Sequence, residues 1–194
     1  MTETQHAATP TTPSAAPTAP TAPTAPTGER ADLLEALAHH RGFLRLTTRD
    51  LTDEQAGRRT TAGELCLGGL IKHVTSVERS WGDFIEHGPE VLGDWNNMTE
   101  ADWQRRADEF RMLPGETLAG VLETYEDMAR RTDELVVTVP DLDRSQPLPP
   151  APWHEPGTRW SVRRVLLHII GETAQHAGHA DIVRESLDGA KSMG

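Results

Sequence analysis

The stretch RWSVRRVLLHIIGETAQHAGHADIVRESLDG, Arg159 to Gly189, decides how the rest of the chain is read. It reads as one long helix, with Ser161 a suitable N-cap and Gly189 a suitable stop. At roughly 100° per residue, His168, Glu172, His176 and His179 fall in one stripe about 80° wide. Val165 and Val183 share that stripe, which marks it as the inward face. Imidazoles and a carboxylate cannot be buried cheaply as an uncompensated cluster, and a metal ion is the simplest compensation. Glu172 and His176 are four residues apart, so their side chains stand on successive turns about 6 Å apart. That spacing suits two ligands on one divalent cation.

Working backward from this helix, the chain yields three more amphipathic helices. The first runs from Glu29 to Thr47 or Thr48, with Leu33, Leu34, Leu37, Phe43 and Leu44 at helical spacing. His39 and His40 are adjacent, point about 100° apart and are read as surface residues. The second helix runs from Cys66 to Glu86, and its apolar stripe is Leu70, His73, Val77, Trp81 and Phe84. A lone histidine on an apolar face is usually a hydrogen-bonded core residue. His73 is not alone, because the last helix also turns polar groups inward, and this raises it to a candidate ligand. The third helix runs from Glu116 to Val139 and ends at Pro140.

The connections carry weaker signals. LTDEQAGRRTTAGEL, with Gly57 and Gly63, reads as a link between the first two helices. Residues 88–114 form a long connection carrying Trp95, Trp103 and Phe110, with a short helix in TEADWQRRADEF capped by Thr99. It reads first as a crossover, with a pocket wall or lid as the other readings. Residues 141–159 are proline-rich, and His154 among them reads as a loop residue. No stretch shows a strand pattern. Residues 1–28 are mostly Ala, Thr and Pro, with PTAPTAPTAPT at 17–27; nothing apolar larger than Ala or Pro follows Met1, and they read as a disordered tail. Residues 29–194 then form one all-α domain, a four-helix bundle whose inward polar seam holds a metal.

Bulk composition narrows the function classes. The 194 residues carry a formal net charge of −11, which is not the footprint of a nucleic-acid or membrane-surface binder. Cys66 is the only cysteine, so an intrachain disulfide, a CxxC pair and a cysteine metal cluster are all excluded. No apolar run has the length of a membrane span, and the N-terminus has no apolar secretory core. A cytoplasmic protein is the expectation.

At LTDEQAGRR, LGGLIKHVTSVERSW and GETAQHAGHADIVRESLDG the chain resembles the DinB-like family, in its DUF664 branch, over roughly Glu29 to Gly189. The resemblance implies a four-helix bundle, often dimeric, with a divalent metal on three side chains. It places the ligands at His73, Glu172 and His176. Many members carry HxxxHxGQ in the last helix, whereas this chain has ExxxH followed by HAGHAD. The glutamate is similar to the site of mycothiol-dependent maleylpyruvate isomerase. The departure at His179 leaves three roles for it: a partner behind a ligand, a substrate contact or an added ligand.

Three protein ligands leave open positions on the ion, where a water or thiol becomes more acidic. Family resemblance implies transfer of a low-molecular-weight thiol, mycothiol or a similar one, to a small electrophile, with the sulfur reacting as thiolate. Arg163, Arg164 and Arg184 are candidate contacts for such a thiol, with solvated helix faces as the plainer reading. Zinc leads among the metals, with nickel, manganese and iron also able to accept such ligands. Two other functions stand beside this one. One is a hydrolase using metal-bound water, although neither Glu78 nor Asp181 shares the metal face as a general base would. The other is a non-catalytic, stress-associated bundle.

Overall fold

The computed structural model describes Met1 and residues 25–192. Most of the expected tail therefore lies outside the described residues. The elements in order are α1 (Glu29–Leu46), α2 (Asp53–Gly57), α3 (Leu67–His87), α4 (Glu100–Glu109), α5 (Leu118–Thr138), β1 (Ser145–Pro147), β2 (Arg159–Ser161) and α6 (Val162–Asp188), with 3-10 turns at Pro89–Leu92 and Trp95–Asn97. Helices α1, α3, α5 and α6 form the bundle: α6 packs on α1 and α3, and α5 packs on α3 and α1. The all-α bundle expected from periodicity is the fold.

Local chemistry explains where the helices begin. The Thr52, Thr99, Thr117 and Ser161 hydroxyls each accept a hydrogen bond from a first-turn backbone amide, satisfying a group the helix leaves unpaired. Arginines from other elements close several C-termini. Arg30 donates to the carbonyls of Val136 and Val139 at the end of α5, and Arg144 to Ile85 near the end of α3. Arg184 donates to Thr47 and Arg49 just beyond α1. Gly189 takes the left-handed conformation, φ 81°, that ends α6.

Two expectations change. Arg159–Ser161 pairs antiparallel with Ser145–Pro147, where no strand was expected, and α6 starts at Val162 under the expected Ser161 cap. Three-residue strands are too short to leave a periodic signal, so the ribbon was invisible in the sequence. DEQAG, expected as connection, forms the short α2 under a Thr52–Gln55 capping box.

The core has two clusters. One joins Leu33, Leu37, Phe84, Val136, Val165 and Ile169. The other joins Leu44, Leu70, Val74, Tyr125, Ala180 and Val183. Along the helices, a buried ion pair falls between them. Arg41 Nε and Nη2 donate to the two oxygens of Glu78 at 2.9 and 2.6 Å, and Nη1 donates to Asp133 at 2.7 Å. Glu78 is wholly buried, with both oxygens taken by Arg41. Burial alone would lower the Arg41 pKa, but the carboxylates facing it outweigh that and raise it.

Candidate metal centre

His73 projects from the middle of α3 and is buried. Glu172 and His176 project from the middle of α6, one turn apart and half-buried. Each of the three offers a ligand atom, and the three atoms lie within 4.8 Å of one another. The His73 and His176 rings meet edge to face at 4.7 Å, and His176 Nε2 stands 3.5 Å from Glu172 Oε2. The structure thus brings together the three residues singled out in the sequence, from two facing helices.

The stripe on α6 is not the centre of its buried face. That centre is Leu166, Ile169, Thr173 and Ala180, while Glu172, His176 and His179 flank it and remain partly open. This position reconciles charge with burial: the groups face α3 yet retain access to solvent. The hydrogen bond from His176 holds the Glu172 carboxyl below the usual carboxylate range, against the opposing effect of burial.

The other histidines separate by what they touch. His179 Nδ1 is 3.5 Å from His176 Nδ1, behind the ring edge that faces Glu172. His168 lies one turn before Glu172, its Nε2 3.7 Å from Oε1. Its ring also stands edge-on to Trp81 and Trp160, at 4.8 and 5.1 Å, and those two tryptophans stack on each other. Burial lowers the His168 pKa more than Glu172 raises it. His154 is half-buried at 6.1 Å from Trp160, and His39 and His40 lie away on α1.

The long connection after α3 reaches the site, so its reading as a simple crossover gives way to that of a wall. Phe110 stacks on the His73 ring at 4.1 Å with 24° between planes. Glu109 Oε2 lies 3.3 Å from His73 Nδ1, and Glu109 Oε1 accepts from Ser76 Oγ at 2.8 Å. Burial would raise the Glu109 pKa, but hydrogen bonds from His73 and Ser76 outweigh it and the net shift is downward. Sequence reasoning missed Glu109 and Ser76. Ser76 stands one turn after His73, but no periodicity indicates which residue of a connection returns to a helix more than thirty positions earlier.

The arginines proposed as thiol contacts have other partners. Arg184 holds the carbonyls beyond α1, Arg163 pairs with Glu29 and Asp143, and Arg164 lies over Trp160 at 4.2 Å. A second group with ligand atoms in reach, Asp83, Glu86 and His87, is largely exposed, and Arg131 pairs with both of its carboxylates.

Two imidazoles and one carboxylate, converging from facing helices, are a donor set used by catalytic zinc sites with an open position. Bundle proteins build such centres from inward side chains on neighbouring helices, and this fold and geometry fit that class. The sequence matches the family described as mycothiol-S-transferase over residues 32–189, and the chain belongs to that family. The DinB-like resemblance is thereby borne out. A crystal structure of a conserved protein from Enterococcus faecalis has the same fold, with a TM-score of 0.63 and 12% identity, covering 85% of this chain and 100% of that one. No curated protein matched. No described helix is long and apolar enough to cross a membrane.

Proposed function

We propose that the protein is a metal-dependent thiol transferase, joining a low-molecular-weight thiol of the mycothiol type to an electrophilic small molecule. The observation that carries this reading is the convergence of His73, Glu172 and His176 within 4.8 Å in a chain of the mycothiol-S-transferase family. These three side chains would hold the ion, zinc before nickel, manganese or iron. A divalent ion there supplies Lewis acidity, bringing the pKa of a bound thiol toward neutrality.

The chain's own residues do the rest. Phe110 covers one face of His73 and keeps water from it. His179 stands behind His176 and supports its orientation as a hydrogen-bond partner. In the reaction the thiol gives up its proton to solvent, sulfur bonds to the electrophilic carbon, and the leaving group departs with its electron pair. Hydrolysis would instead need a free base beside the site, and Glu109 is already bonded to His73 and Ser76.

The test measures metal content and thiol binding on wild type beside His73→Ala and Glu172→Ala, then turnover of a chloro-nitroaromatic with and without thiol. The reading expects about one ion per chain, lost in both variants, with turnover only when metal and thiol are both present. Absence of metal in reconstituted wild type overturns it, and turnover without thiol transfers the case to hydrolysis.

A further inference from the structure

We propose that Glu109 is a positioning residue: it holds the His73 ring with Nδ1 protonated and Nε2 free to face Glu172 and His176. The inference rests on the reading of His73 as a ligand and deepens it. An ionised carboxylate can only accept hydrogen bonds, so the ring nitrogen it meets must carry the proton. Glu109 Oε2 meets Nδ1 at 3.3 Å, which leaves the lone pair on Nε2, the form a ligand requires. Ser76 Oγ donates to the other oxygen at 2.8 Å and stops the carboxylate from rotating away.

The segment carrying Glu109 is itself fastened to α3. Lys72, one of two lysines in the chain, donates to the carbonyls of Asp108 and Arg111 at 3.1 and 2.9 Å and pairs with Glu116 at 2.7 Å. The sulfhydryl of Cys66 lies 3.7 Å from the Phe110 carbonyl oxygen. Gly69 provides the close approach, since a Cβ there would stand 2.0 Å from that same oxygen. The His73 ring is thus bounded on its edge by Glu109, on its face by Phe110 and across the site by His176.

The experiment uses the full chain as wild type, Glu109→Ala, Glu109→Gln and Ser76→Ala. Long-range nitrogen–proton NMR on metal-free protein at about pH 8, above the ordinary histidine range, reads the His73 tautomer. Nδ1–H is expected in wild type and in Glu109→Gln, whose amide oxygen accepts the same proton, and a shift toward Nε2–H in Glu109→Ala. Zinc affinity, measured by chelator competition, should fall about 10- to 100-fold in Glu109→Ala, with smaller losses in Glu109→Gln and Ser76→Ala. Wild type as Nε2–H, or zinc affinity equal in wild type and Glu109→Ala, overturns the proposal. Wild type with the expected tautomer but no zinc binding overturns the metal reading and leaves the orienting role of Glu109 standing.

Discussion

Gly69 and Phe110 are in contact through backbone alone: a Cβ on Gly69 would lie 2.0 Å from the Phe110 oxygen and 2.2 Å from its carbonyl carbon. The connection after α4 can reach His73 only because position 69 has no side chain. Gly69→Ala must therefore displace residues 109–111. We expect a loss of about 1–3 kcal/mol, as for overpacking elsewhere, and weaker zinc binding. Thermal denaturation and metal titration check both. Gly68→Ala meets the Met112 thioether, at 2.3 Å from Sδ, and a flexible side chain can turn aside, so a smaller effect is expected there. Equal effects at the two positions would argue against the backbone contact.

The Arg41–Glu78 pair gives a stability prediction independent of the site. Glu78→Ala leaves a buried guanidinium with only the half-exposed Asp133 as partner, and should cost about 3–5 kcal/mol. Replacing both at once, Arg41→Met with Glu78→Leu, should cost much less, because no charge is then left buried. Urea denaturation of Glu78→Ala and of the double variant measures the difference.

Tyr125 is buried, and its hydroxyl has no hydrogen-bond partner among the described residues. Burial raises the Tyr125 pKa, which keeps the group neutral. Tyr125→Phe removes an unsatisfied oxygen while keeping the ring, so stability should be unchanged or raised by about 1 kcal/mol. A loss of stability in the melting curve would show that the hydroxyl has a partner.

Glu109 predicts an acid-side response in the metal-free protein. Its folded pKa lies below the ordinary value of 4.5, so its contribution is present above that value and is lost as pH falls through the folded pKa. Wild type should therefore lose stability below about pH 4.5 more steeply than Glu109→Gln, which cannot titrate. Parallel curves from denaturation at a series of pH values would count against it.

The four long helices, the Ser161 cap of the last, the short helix capped by Thr99 and the three candidate ligands were all legible in the sequence. These are local matters: helical periodicity places apolar residues on one face, and a four-residue step places Glu172 and His176 on successive turns. Even His73 was legible, as a polar residue inside an apolar stripe. The pairing of Arg41 with Glu78 between the two core clusters, the meeting of β1 with β2 and the return of Glu109 and Phe110 to His73 emerge only in the folded chain. Each of these contacts joins residues far apart in the chain, and no repeat in the sequence encodes the partner. They depend on how helices stack and on where a glycine allows one backbone to touch another.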